Sequence, residues 1–362
     1  MRLACSYNPQ FYEGELSPYK KVELMELGFL AYKTVFGNNK QIAKKYDGIS
    51  LSLHVSRSPI TEKAENQDIF ISEKIEQIKD DERIVSVGFH LCDDRRENIG
   101  KYGFSSHYTS SSIKEAHAIR FIKNVKNVTR KDVWMENANF YSSSPEEIVN
   151  NWRSFNHIIK CSKAKSIIDL SHLVIDCSNN NIDPSLLVGL IDWKSVAEVH
   201  LSGIVTGRDG TLHDGHSNPV SPKVWELLSK IRQLGLLEDN IYCNIEHSDG
   251  TWGSSPREYF NDFDILESIF SSDIHYRNKE NNALQYAKGY LKTLISQEVT
   301  NLDKISSHFD LTNKDLLDAW LNHLQKEKFR LSLSRDDMDS EIKKDSIYFV
   351  DSFIQYIEEL QQ

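Results

Sequence analysis

The chain has 362 residues, enough for one α/β barrel with an appended segment. Hydrophobic residues make up 39% and charged residues 27% of it, a balance typical of a folded soluble protein and not of a disordered one. No apolar run reaches the roughly 18 residues that a membrane-spanning helix needs, and the first ten residues lack the apolar core of a signal peptide. The formal net charge of −10 argues against a nucleic-acid backbone as the main partner. We therefore expect a cytoplasmic protein that does not associate with membranes.

The cysteines are odd in number, widely spaced and without a Cys-x-x-Cys pair. This pattern predicts reduced thiols and argues against both a disulfide framework and a thiolate zinc site. The five positions are Cys5, Cys92, Cys161, Cys177 and Cys243.

Short β-branched or apolar runs recur along the first 250 residues, and each precedes a segment with helical spacing. Seven runs predict strands, at 3–7, 49–55, 84–91, 133–137, 166–172, 197–203 and 241–247. The predicted helices include 19–36, and two others open with Ser-Pro, which suits a helix first turn. The repeated strand–helix order predicts an α/β fold, a (β/α)8 TIM-type barrel. We place the eighth strand within 257–270, "REYFNDFDILESIF".

Beyond residue 275 the alternation stops and the pattern becomes purely helical. The chain therefore divides into a metal-binding barrel, 1–275, and an all-α C-terminal extension, 276–362. Two roles are consistent with the pattern of these helices. They could recognise a peptide or partner, or they could only pack against the barrel.

Histidines and carboxylates stand at the carboxyl ends of the predicted strands. In a (β/α)8 barrel these ends meet at one mouth, where the active site is built. A single such residue has ordinary explanations, whereas the whole set predicts a site for two or three divalent ions with a bridging carboxylate. Imidazole and carboxylate without sulfur suit zinc, manganese or iron. The set is His54, His90, Glu136, Asp169, His172, His200 and Glu246, with Asp214 and His216 added by the loop after the 197–203 strand.

The stretch "LHDGHSNPV", 212–220, is turn-like in composition. Asp214 and His216 flank a single glycine within it. We interpret it as a turn that carries two metal ligands back over the barrel mouth.

Several phrases resemble those of the xylose-isomerase-like barrels, and most closely the multinuclear non-haem iron-dependent oxidative enzymes typified by methanobactin biosynthesis. The most specific is "DGHSNPVSPKVW", 214–225. Others are "LSLHVS" (51–56), "SVGFHLC" (86–92), "MENANFY" (135–141), "IIDLSHLV" (167–174), "EVHLSG" (198–203) and "NIEHSD" (244–249).

This resemblance implies that the nine strand-end and loop residues are iron ligands, and that Asn137 takes part in catalysis beside Glu136. It implies two or three irons in mixed Fe(II)/Fe(III) states and O₂ as co-substrate. The implied substrate is a ribosomally synthesised precursor peptide, most often modified at cysteine and often presented by a separate partner protein. Many members have Asn where His172 stands, a departure that bears on whether a third iron is held.

Three other functions share parts of this pattern. A trinuclear zinc apurinic-site endonuclease resembles the chain in the same nine ligand types, in the same order. The acidic balance, the 214–225 phrase and the lack of evident basic loops for gripping DNA argue against it. A sugar isomerase would leave His54 and His90 surplus, and a non-catalytic peptide-binding barrel would not need the full ligand set.

Overall fold

The computed structural model describes residues 1–13, 16–33, 46–93, 107–238 and 240–271. Eight parallel strands close into a barrel, each pairing with the next along the chain and the last pairing back to the first. The barrel strands are β1 (Arg2–Ser6), β2 (Val22–Leu27), β3 (Ser50–Val55), β4 (Ile84–Leu91), β5 (Asp132–Asn137), β6 (Lys165–Asp169), β7 (Val196–Leu201) and β10 (Tyr242–Ile245). The predicted barrel is confirmed.

Helices follow most strands and cover the outside of the barrel. They are α1 (Gln10–Glu13), α2 (Phe29–Ala31), α3 (Ala64–Phe70), α4 (Ser112–Thr129), α5 (Pro145–Ser162), α6 (Leu170–Asn179), α7 (Pro222–Gln233) and α8 (Pro256–Ser271). Short π or 3₁₀ segments lie at Ile71–Ile75, Glu76–Ile78, Pro184–Leu190, Trp193–Ser195 and Gly250–Ser254. No helix in the described part of the chain is long and apolar enough to cross a membrane.

The Ser-Pro openings begin helices as predicted. Ser144 accepts a hydrogen bond from the Glu147 amide, and Pro145 takes the first helical position, whose N–H would be unpaired. Ser221 precedes Pro222 in the same way, although its side chain makes no cap hydrogen bond.

The missing barrel strand is β2, in the segment that the sequence predicts as part of a helix over 19–36. Val22, Leu24, Met25 and Leu27 are buried together with Glu26, so this strand is covered on both faces and lacks the alternation of a half-exposed one. Its Glu, Leu and Met residues also favour helix. The helical interpretation of 22–27 was therefore wrong.

Two other boundaries are corrected. Residues 257–270, expected to hold the eighth strand, lie inside α8. The strand predicted over 166–172 ends at Asp169, whose side chain accepts from the His172 amide at 2.6 Å and caps α6. His172 consequently lies in the first turn of a helix and not on a strand.

The long loop after β7 contains a hairpin. Strands β8 (Ile204–Thr206) and β9 (Leu212–Asp214) pair antiparallel and place Asp214 at the end of β9. The predicted helical extension, 276–362, lies outside the described residues and stays a prediction.

The inner face of the barrel changes from apolar to polar along its axis. Ala4, Leu24, Trp134, Ile167 and Tyr242 pack into one buried cluster that closes the amino-terminal side. Two residues further along most of these strands the inward positions carry acidic or amide groups, because side chains alternate with period two. The polar residues are thus held at the carboxyl-terminal half of the barrel.

Candidate metal centre

Glu136 lies at the middle of the predicted ligand set, fully buried at the end of β5. Its Oε2 lies 2.5 Å from His54 Nε2 and 2.9 Å from His90 Nε2. We call His54, His90 and Glu136 site B, and these three groups lie close enough to hold one ion. Adjacent strands β3, β4 and β5 supply one residue each, which explains the convergence.

The other oxygen of Glu136 faces a second set of donors, which we call site A and define as Glu136, Asp169, His200 and Glu246. Its Oε1 lies 3.4 Å from His200 Nδ1, and that nitrogen is 3.3 Å from Glu246 Oε1. One ligand atom from each of the four residues fits within 4.8 Å of all the others. The two oxygens of Glu136 therefore face two separate sets of donor atoms.

Site C, defined as His172, Asp214 and His216, lies beside site A. Asp214 Oδ2 is 2.5 Å from His216 Nε2 and 3.5 Å from His172 Nε2. His172 Nδ1 lies 2.9 Å from the carbonyl oxygen of Asn137, to which it can donate, and its Nε2 faces Asp214. The predicted residues thus form three adjoining groups.

Unpaired buried atoms test whether this set fits metal ions. Each member of site A has one buried atom without a hydrogen bond to any described residue, namely Glu136 Oε1, Asp169 Oδ2, His200 Nδ1 and Glu246 Oε2. A buried polar atom without a partner costs about 1–3 kcal/mol, more when charged. A cation bound among the site A donors would give these atoms a partner, so the residues fit the metal that the sequence predicts.

The electrostatics of the centre favour an added positive charge. Burial raises the pKa of Glu136, but His90, His200 and His54 outweigh it and hold that pKa well below the usual range. Burial likewise opposes protonation of His54 and His216, yet neighbouring carboxylates raise their pKa to about 9 and about 10. Protons on these imidazoles occupy the positions that a metal ion would take.

Metal binding should accordingly weaken as the pH falls. The raised pKa keeps His54 and His216 protonated at neutral pH, so a metal ion must displace their protons. For each proton displaced, the metal affinity falls about tenfold for each unit by which the pH is lowered. We expect the apparent affinity for Zn(II) to rise steadily from pH 6 to pH 8, with proton release in calorimetry. A pH-independent affinity would contradict this assignment.

Asn137 does not point into the donor set. Its Nδ2 donates to the Asp169 carbonyl and its Oδ1 accepts from the Asp169 amide, both at 2.9 Å. The side chain therefore ties β5 to β6 and fixes the backbone that carries a site A ligand.

The loop that carries Asp214 and His216 is braced from the 246–254 segment. Trp252 Nε1 donates to the His216 carbonyl at 2.7 Å, and His216 Nδ1 lies 2.9 Å from Ser248 Oγ. A Cβ on Gly215 would lie 2.8 Å from Val205 Cγ1, so this glycine is required by close packing against the hairpin. His213 turns away from the centre, with its Nδ1 3.0 Å from the Tyr141 hydroxyl.

Comparison with known proteins identifies the family of this barrel. A family model described as "RiPP precursor modification enzyme MbnB/TglH/ChrH" matches residues 32–238, more than half of the chain. The chain belongs to this family. The match covers every donor of sites A, B and C except Glu246.

Curated relatives of this RiPP-modification family member are distant and partial. A UPF0276 protein of Vibrio vulnificus is 25% identical over 159 residues, which are 42% of this chain and 54% of that protein. One from Rhizorhabdus wittichii is 27% identical over 156 residues, 41% and 53% of the two chains. The chain spans about half the length of the curated relatives it matches.

Solved structures similar to this family member include two enzyme-like barrels. The probable 3-DHS dehydratase AsbF of Bacillus anthracis has a TM-score of 0.45 at 9% identity, covering 75% of this chain and all of that one. A xylose isomerase domain protein of Alicyclobacillus acidocaldarius has a TM-score of 0.44 at 11% identity, with the same coverage. The closed order of the strands itself establishes the barrel fold.

Three buried polar residues beneath the family member's donor set were not predicted. Glu26, Glu198 and Asn244 point into the barrel beside His200. Glu198 and Asn244 stand two residues before predicted ligands on the same strands, so the period of two could have indicated them. Glu26 lies on the unpredicted strand β2, and no local signal distinguished it.

Gly88 provides a specific test of site B. A Cβ at this position would lie 3.0 Å from His54 Cδ2 and 3.1 Å from Ile167 Cδ1, so Gly88→Ala must displace the His54 ring or the neighbouring isoleucine. We expect a loss of about 1–3 kcal/mol in unfolding free energy and about tenfold weaker metal binding. Urea unfolding and metal titration would measure both.

Gly189→Ala is the matched control for this substitution, because a Cβ there meets nothing within 4 Å. It should leave metal affinity unchanged. Equal effects of the two variants would mean that His54 is not held by contact with Gly88.

Proposed function

We propose that this protein uses a multinuclear iron centre at sites A, B and C for the O₂-dependent oxidation of a ribosomally synthesised precursor peptide, with a cysteine of that peptide as the modified residue. The observation that carries the proposal is the two-sided position of Glu136, with imidazoles facing each of its oxygens. Family membership supports the peptide substrate.

Two or three iron ions in mixed Fe(II)/Fe(III) states would supply thiolate binding and O₂ activation for removing hydrogen next to sulfur. His54, His90 and Glu136 would hold one ion, while Glu136, Asp169, His200 and Glu246 would hold a second. His172, Asp214 and His216 would complete a third position. The barrel wall excludes water from site A, whose His200 and Glu136 side chains are fully buried.

Accessibility indicates the side from which a peptide would approach. The side chains of His54 and His90 are 13% and 14% exposed, and that of His216 is 34% exposed. The buried site A lies behind them. A peptide cysteine would therefore meet the centre at sites B and C, with site A as the sheltered position.

Asn137 would serve this reaction through Asp169 and not by touching the peptide. Its amide makes two hydrogen bonds to the Asp169 backbone and holds that ligand in register with Glu136. We further propose that a separate partner protein presents the peptide, and that the helices predicted at 276–362 take part in this recognition.

The experiment loads the full chain with iron under nitrogen and adds a precursor peptide encoded beside its gene, with and without O₂. We expect an O₂-dependent mass change that disappears when the peptide cysteines are replaced by serine. The same mass change without O₂, or an enzyme active only with zinc on abasic DNA, would overturn the proposal.

A further inference from the structure

Glu26 is a buried carboxylate that none of the predicted ligand positions includes. It projects from β2 into the barrel and is 2% exposed, beneath the donor set on the side of His200. A buried carboxylate is costly unless it is paired or hydrogen-bonded. Its contacts therefore indicate what it does.

One oxygen of Glu26 makes two close polar contacts. Its Oε2 accepts from Asn244 Nδ2 at 2.7 Å and lies 3.1 Å from His200 Nε2. The amide NH₂ of Asn244 can only donate, and its Nδ2 lies 3.5 Å from His200 Nε2, a longer contact than the 3.1 Å between that nitrogen and Glu26 Oε2. Glu26 is the acceptor that faces His200 Nε2 at hydrogen-bonding distance.

The two nitrogens of His200 face opposite ways. Nδ1 points to the oxygens of Glu136 and Glu246 at 3.4 and 3.3 Å, and Nε2 points down to Glu26. A neutral imidazole carries one proton, and a nitrogen that binds metal must be the unprotonated one. A proton held on Nε2 by Glu26 leaves the Nδ1 lone pair for the metal.

We propose that Glu26 is a positioning residue, which fixes His200 in the Nε2–H tautomer and raises the basicity of Nδ1 toward the ion in site A. This inference rests on the proposed metal centre but not on iron or on peptide oxidation. Carboxylate partners of metal-bound histidines commonly change metal affinity by 10- to 100-fold.

Two neighbouring groups define the alternatives. Glu198 Oε1 lies 3.6 Å from His200 Nε2, too far for a hydrogen bond, and neither of its oxygens has a partner among the described residues. Glu26, His54 and His200 also lie close enough together to hold an ion. We place a proton and not a metal ion between Glu26 and His200, since His54 Nε2 belongs to site B at 2.5 Å from Glu136.

The test measures Zn(II) binding to the full chain by chelator competition, since Zn(II) is redox-inert and separates this inference from the oxidative reaction. Glu26→Gln keeps an acceptor but removes the charge, and Glu26→Met removes both. We expect one bound ion to weaken by about 10-fold in the first variant and about 100-fold in the second, with unchanged stoichiometry. The matched control, Glu198→Gln, should stay within about twofold of the wild type.

A spectroscopic readout distinguishes positioning from a general structural role. In the Zn(II)-loaded protein with ¹⁵N-labelled histidine, the His200 signal, assigned by its loss in His200→Gln, should show a protonated Nε2 with a downfield proton. Glu26→Gln should shift that proton upfield while Glu198→Gln does not. If Glu26→Met fails to fold, Glu26→Gln with an unchanged melting temperature decides the matter.

Three results would overturn the inference. The first is loss of one Zn(II) ion per chain in Glu26→Gln, which would make Glu26 a metal ligand. The second is an equal effect of Glu26→Gln and Glu198→Gln on Zn(II) affinity. The third is a His200 imidazole that carries its proton on Nδ1. Failure of peptide oxidation with the Zn(II) results as expected would count against the proposed function alone.

Discussion

Replacing Glu136 with glutamine is expected to abolish turnover and to lower the metal content of the protein by at least one ion per chain. The carboxylate contacts His54 and His90 through one oxygen and faces His200 through the other, so it belongs to sites A and B at once. An amide has a single, uncharged acceptor and cannot serve both sites. Because metal ions contribute several kcal/mol to such reactions, activity should fall by about 10³-fold or more. Elemental analysis and peptide turnover would measure the two effects.

Glu198→Gln is the matched control for Glu136→Gln. Both glutamates are fully buried inside the barrel, but Glu198 lies outside sites A, B and C. The control should retain its ions and its activity. An unchanged metal content in Glu136→Gln would show that Glu136 does not bridge two ions.

Replacing His216 with alanine should remove one ion and leave the others in place. His216 Nε2 lies 2.5 Å from Asp214, and 3.9 Å from Glu246 of site A, so its loss opens site C but leaves sites A and B with their donors. We expect turnover below about 1% of the wild type if the third position is needed. The partly exposed imidazole contributes little to the core, so the melting temperature should change by no more than a few degrees.

The control for His216 is His213→Ala, three residues earlier on strand β9 of the hairpin. His213 contacts Tyr141 and stands outside the three sites. It should keep the full metal content. If both variants lose the same ion, the effect lies in the hairpin and not in ligation by His216.

The barrel was predictable because most of its strands carry a readable pattern. Runs such as "IVSVGFHL" are β-branched, short and bounded by turns, and β4 begins and ends at the predicted residues. Strand β2 was not predictable for the opposite reason, since a strand buried on both faces and composed of Glu, Leu and Met looks helical. Tertiary burial, which local sequence does not encode, decided its structure.

The donor positions follow from one geometric rule, that residues at the carboxyl ends of barrel strands share a mouth. This rule placed His54, His90, Glu136 and Asp169 correctly at strand ends, and these four residues lie together in the structure. It could not reveal that Glu136 faces imidazoles on two sides. Nor could it reveal that the Asn137 side-chain amide makes two hydrogen bonds to the Asp169 backbone. Those facts depend on side-chain directions and on the pairing of β5 with β6.

Metal analysis combined with Mössbauer spectroscopy on protein expressed with ⁵⁷Fe would show whether this family member holds a multinuclear iron centre. We expect about two or three irons per chain, with Fe(II) and Fe(III) signals from a coupled cluster that is lost in Glu136→Gln. One iron or none per chain, or a full complement of zinc that iron cannot replace, would contradict it.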